Sequence, residues 1–147
     1  MAYKKILVCL DGSDLAETAL PHAQALASDE GAEIVLLRIS VNPAAEFSFS
    51  EPGIANNIVQ EMETETLNYL QSVRGRLQKA GFRTSFLIRQ GPVAETILKV
   101  ASQSQADVIV LSTHGRSGVK RWLLGSVADR VVTHSEVPVM VVRPGII

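Results

Sequence analysis

Short runs of branched apolar residues recur along this chain, and stretches with helical spacing separate them. Residues 6–10, 34–39, 108–111 and 139–142 are nearly continuous in Ile, Leu and Val. A strand that is apolar on both faces needs cover on both, which is the condition inside a parallel sheet. Residues 83–89 (RTSFLIR) are more polar and alternate, as a strand at a sheet edge does. Between these runs, Leu15, Ala19, His22 or Ala23, and Leu26 share one helical face, with Asp14 and Glu17 at the spacing of a capping box. Ile58, Met62, Thr66, Tyr69 or Leu70, Val73 and Leu77 make a longer stripe that Gly81 ends. Val93, Ile97 and Val100 or Ala101 follow Pro92, a residue favoured in a first helical turn. Val127, Val131 and His134 follow Gly125-Ser126. The order is β-α-β-α-β-α-β-α-β. It predicts an α/β fold: a three-layer, open, parallel five-stranded sheet with right-handed crossovers.

A chain of 147 residues fits one domain, spanning 1–147. At that size roughly 68–70% of the unfolded surface is buried on folding, so a core forms without staples. Cys9 is the lone cysteine, which rules out an internal disulfide, and no Cys/His cluster has zinc spacing. Both point to a metal-free fold in a reducing compartment. The first apolar run is short and meets Asp11 early, unlike a secretory leader, and no apolar stretch is long enough to span a bilayer. The expected location is cytoplasmic, with no membrane partner. A net charge of −1 gives no global attraction to nucleic acid.

The chemistry concentrates in residues 107–130, DVIVLSTHGRSGVKRWLLGSVADR. An apolar strand ends at Ser112-Thr113, a Gly-rich basic loop follows, and Gly125-Ser126 opens a helix. Backbone N–H groups in such a loop and at such a helix start suit an anion, above all a phosphate. The loop is neither a P-loop nor a dinucleotide fingerprint, because both spacings are absent. Nine residues separate Gly115 from Gly125, enough to wrap a nucleotide's phosphate tail. Arg116, Lys120 and Arg121 cluster there without an acidic neighbour. They are either a solvated basic loop or a screen for phosphate, and the glycine spacing favours the second.

Three segments, in order, resemble the universal stress protein family over nearly the whole chain. Its nucleotide-binding subgroup carries Gly-x-x-Gly-x9-Gly-Ser/Thr after the fourth strand. Gly115, the spacer and Gly125-Ser126 match, while Ser112 stands where the first glycine would be. Residues 5–13 (KILVCLDGS) resemble the first strand and turn, with Cys9 where a proline is common. Residues 138–144 (PVMVVRP) resemble the last strand. The resemblance implies a Rossmann-like sheet of strand order 3-2-1-4-5, in which the winding reverses between strands 1 and 4. Ligands of open α/β sheets bind beyond the strand ends at such a switch point. It further implies bound ATP or a related adenine nucleotide with Mg2+, a homodimer formed through residues 137–142, and a role in stress response. The site residues it implies are Cys9, Leu10 and Asp11 after strand 1, and Ile39, whose backbone sits where the family reads the adenine edge. Leu111, Ser112, His114, Gly115 and Arg116 follow strand 4. Gly125, Ser126 and Val127 open the last helix.

Several of these residues carry a plainer reading as well. Asp11 either orders the turn before the first helix or accepts hydrogen bonds from a ribose hydroxyl or an adenine amino group. Ser13 reads as a plain helix cap. Ser126 is a phosphate donor or an N-cap, and the two share one geometry. His114 reads as an exposed loop histidine, and Trp122 as a packing anchor. Serine at 112 is nearly neutral if its φ is negative, but costs about 1 kcal/mol or more if φ must be positive. Residues 42–57 break the periodicity and form a long connection or a lid, with Phe47 and Phe49 needing cover. No nucleophile–base pair is evident, so a regulatory, nucleotide-binding protein is expected rather than an enzyme. The alternative is a nucleotide-free dimeric interaction module, which Ser112 favours.

Overall fold

The expected alternation is present in the computed structural model, which describes residues 3–28, 31–40, 52–113 and 125–143, with 52–59 by backbone alone. In chain order the elements are β1 (Lys5–Leu10), α1 (Asp14–Glu17), α2 (Leu20–Leu26), β2 (Glu33–Ser40), α3 (Pro52–Lys79), β3 (Arg83–Gln90), α4 (Val93–Ser104), β4 (Val108–Ser112), α5 (Ser126–His134) and β5 (Val139–Val142). The strands form one five-stranded sheet ordered β3-β2-β1-β4-β5, parallel throughout. The winding therefore reverses between β1 and β4, whose register sets Ile6 against Val108 and Val8 against Val110.

Alternate residues of the same strands build two cores. Ile6, Val8, Leu10, Ile34, Leu36, Val108 and Val110 pack with Leu20, Ala23, Leu70, Val73 and Leu77 of α2 and α3. Leu7, Val35, Leu37, Ile109 and Leu111 pack with Ile97, Val100, Ala128 and Val131 of α4 and α5. This is why the strand sequences are apolar without alternation. Asp107 ties the start of the central pair. Its carboxylate accepts the Lys4 and Lys5 N–H groups at 2.8 and 2.9 Å, and its own N–H donates to the Lys5 carbonyl at 2.8 Å.

Three local expectations need correction. The first helical stripe is two helices, because Pro21 lacks an N–H and its ring clashes with the carbonyl four residues back. Leu15 consequently stays exposed. The proposed capping box is absent. Ser13 caps α1, its Oγ accepting the Ala16 N–H at 3.1 Å, and Glu17 reaches across to α3 instead. There Tyr69 Oη donates to Glu17 Oε2 at 2.8 Å and Arg76 Nη2 to Oε1 at 2.7 Å. Burial and the Glu17 carboxylate both push the Tyr69 phenol up. Finally, the helix after β2 begins at Pro52, so residues 52–57 are helical rather than loop. Pro52-Gly53 reads as a breaker in sequence, yet proline is at home in a first turn. Among the side chains of α3 that are described, Leu70, Val73 and Leu77 are buried, while Met62 and Leu67 are 40% and 39% exposed. Among the described residues, no helix is long and apolar enough to cross a membrane.

Candidate functional site

A cavity of about 340 Å³ opens beyond the carboxyl ends of β1 and β4, where the winding reverses. That volume lies at the small end of the ~300–1,000 Å³ range of small-molecule sites. Cys9, Leu10, Asp11, Ile39, Leu111, Ser112, Gly125, Ser126 and Val127 all line it. His114, Gly115 and Arg116 lie outside the described residues, as do Lys120, Arg121, Trp122 and residues 41–51 with Phe47 and Phe49. Ala16, Leu37, Val93, Ile97, Thr113 and Ala128 line the cavity too, and sequence reasoning did not single them out for it. The signal for Thr113 was its place next to Ser112. The apolar residues look in sequence like any other core residue.

Each wall has a local cause. After β1 the chain turns sharply at Gly12, with φ +88°, where an added Cβ would stand 3.0 Å from Arg38 Nη1. Asp11 holds that turn: its Oδ1 accepts the Ser13 N–H at 2.9 Å and the Ser13 hydroxyl at 2.6 Å. The plain reading of Asp11 is therefore present in full, and it fixes the carboxylate at the cavity wall. Cys9 sits behind it. Burial pushes its thiol from 9.0 up to about 12, so it remains a neutral thiol at physiological pH.

At the end of β4, Ser112 pairs with Val142, and the Thr113 N–H extends the ladder to the Val142 carbonyl at 3.0 Å. Among the described residues, Gln105 is the non-glycine residue with positive φ, so Ser112 bears no left-handed strain. Ser112 Oγ and Thr113 Oγ1 are both buried, and neither has a hydrogen-bond partner among the described residues. Buried hydroxyls are normally paired, and an orphan asks for an explanation.

The third wall is the start of α5. Gly125, not Ser126, is the N-cap, with φ +83° and ψ +147°. A Cβ there would stand 3.0 Å from the Thr113 carbonyl oxygen. Glycine at 125 thus lets the helix start press against the end of β4, a backbone requirement separate from any ligand. Among the described residues, no side chain caps this helix. The N–H groups of Ser126, Val127 and Ala128 have no partner within the helix and carry its positive end. The arrangement is apolar on its inner walls and rich in hydrogen-bond donors at its rim. Among the described residues, no group of three or more His, Cys, Asp or Glu could hold a metal ion.

Comparison with known proteins agrees with this geometry. The model of the universal stress protein family matches residues 2–143. The chain belongs to the universal stress protein family. It is 34% identical to the universal stress protein MJ0577 of Methanocaldococcus jannaschii, over 96% of this chain and 95% of that one. The solved MJ0577 structure superposes with a TM-score of 0.86 at 31% identity, covering 100% of both chains. A universal stress protein solved in complex with cAMP shares the fold, with a TM-score of 0.69 and 22% identity over 99% of this chain and 100% of that one. So does an Arabidopsis thaliana family protein with AMP bound, at a TM-score of 0.70 and 18% identity over 97% and 92% of the two chains. The family's Rossmann-like sheet, order 3-2-1-4-5, is the sheet described above.

Proposed function

We propose that the protein binds ATP or a related adenine nucleotide in the cavity beyond β1 and β4, and acts as a dimeric regulatory protein rather than as an enzyme. The observation that carries this reading is the convergence, at one switch point, of the fixed Asp11 carboxylate, two buried hydroxyls without partners among the described residues, and a start of α5 that no described side chain caps. Leu37, Ile39, Val93, Ile97 and Leu111 offer an apolar slot for a base. Asp11 suits a ribose hydroxyl. The α5 N–H groups suit phosphate. The cAMP and AMP complexes of proteins with this fold contain those same three parts.

Mg2+ enters this reading with the nucleotide. It binds through one or two carboxylates plus phosphates and keeps several waters, and Asp11 is the carboxylate among the described cavity residues. With that carboxylate engaged by the Ser13 turn, a general base for water attack is not evident, which favours binding over turnover. The reading includes a cytoplasmic location, which holds adenine nucleotide and keeps the thiol of Cys9 reduced. It also includes a homodimer formed through β5, the outermost strand of the sheet. Calorimetry with millimolar ATP and Mg2+ tests the ligand. Saturable heat is expected. A flat titration with folded protein would leave the alternative, an interaction module that works through its surfaces without nucleotide.

A further inference from the structure

The turn that carries Asp11 is shaped by bonds within itself. The Ser13 N–H and hydroxyl hold the carboxylate, and Ser13 Oγ in turn caps α1. These bonds span two or three residues, so they fix the form of the turn without tying it to the rest of the fold. Gly12 follows Asp11 at φ +88°, and a glycine backbone pivots more readily than any other. α1 has four residues and stops short of Pro21, too little helix to be stable alone. What holds this turn in place is found at longer range.

Two side chains supply the hold. Glu17, at the far end of α1, is bonded by Tyr69 and Arg76 of α3. Arg38 backs the turn itself. It is the β2 residue opposite Leu10, so its backbone stands level with the last residue of β1. Side chains alternate between the faces of a strand, and Ile34 and Leu36 pack in the core beneath α2 and α3. Arg38 falls on that face, opposite to the apolar slot of Leu37 and Ile39. Its guanidinium lies against Gly12: Nη1, Cζ and Nη2 stand 3.0, 3.5 and 3.6 Å from the point where a Cβ of residue 12 would be. The flat group fills the place that the glycine leaves empty. Arg38 is near Tyr69 as well, because burial and Glu17 push that phenol up while the charges of Arg76 and Arg38 oppose the shift. It thus sits between the turn and α3, and it is not among the described residues that line the cavity.

We propose that Arg38 is a positioning residue for the nucleotide site: its guanidinium backs Gly12 and so holds Asp11 at the cavity wall, without itself touching the ligand. The proposal rests on the nucleotide reading above, which assigns Asp11 to the ribose, a part that AMP and adenosine share. Its test is calorimetry of the full chain with AMP and with adenosine, for the parent, Arg38→Met, Asp11→Asn and the double variant. Arg38→Met weakens both ligands by the same factor, roughly threefold or more. Asp11→Asn weakens both too, and adding Arg38→Met to it costs less than about a further twofold, as two residues that act as one unit should. Loss of AMP binding alone would mean that the guanidinium meets phosphate directly and overturns the proposal. Additive losses overturn it as well, since they mark independent roles or a general packing defect. So does an Asp11→Asn variant that binds as the parent does, because Arg38 then has no group to act through. Arg38→Lys serves if the methionine variant does not fold: it keeps the charge and the stem but not the flat fork, and shows the same loss. Parent-like binding by either Arg38 variant overturns the proposal alone. A parent that takes up neither ligand overturns the nucleotide reading and this proposal with it.

Discussion

Ser112 stands where the resemblance puts the first motif glycine, and its backbone shows no strain there. It closes β4 in ordinary strand geometry, paired with Val142, where glycine's access to positive φ has no use. Ser112→Gly therefore changes ATP affinity by less than about tenfold, or ~1.4 kcal/mol, in calorimetry. A much larger gain would mean that the serine blocks the cavity. Gly125 is the opposite case. Its φ of +83° and the 3.0 Å approach to the Thr113 carbonyl make glycine a structural necessity. A bulky replacement there disturbs the helix start itself, so weakened binding would say little about phosphate. The glycine spacing led to Gly125, which lines the cavity. It did not show that Gly125 serves the backbone first, because a φ value is set by the closure of β4 against α5. Asp11 was legible as a turn former because Asp-Gly-Ser is a local turn signal.

Among elements, strands were the most readable and helix starts the least. Apolar runs covered on both faces read as parallel strands, central for β1, β2 and β4, although the run of β5 lies at the edge. The broken first helix follows from Pro21, and the early start of α3 from Pro52, and both positions are ambiguous in sequence because proline can end a helix or begin one. Glu17 looked like a local cap because its partners, Tyr69 and Arg76, lie far along the chain. β5 is the element with unfinished business. It is an outer strand whose Val139, Met140 and Val141 are only partly buried, so among the described residues one edge of it has no neighbouring strand. Pairing with a second copy would cover it. Met140→Lys is then expected to give monomer or insoluble protein, with light scattering reading the mass. A parent that is monomeric at high micromolar concentration contradicts the dimer before any variant is made.

For the molecule as a whole, the two lips of the cavity come from distant parts of the chain. β1 is made well before β4, yet the two pair in a register that joins Ile6 to Val108. The local alternation of strand and helix was visible without knowing this. The order of the strands was not, since it depends on which edges meet after collapse, and it came from resemblance. The consequence concerns birth rather than the finished fold. Domains assemble during synthesis at about 5–20 residues per second, and non-local parallel pairing is slow to form. A nascent chain that has emerged only as far as β3 can pair β1 with β2 but leaves its other edge, with the Lys5 carbonyl that Asp107 will later engage, open to any passing strand. Chains stalled before and after β4 has emerged should therefore differ sharply in protease resistance, whereas equal protection would show that the first three strands already stand alone.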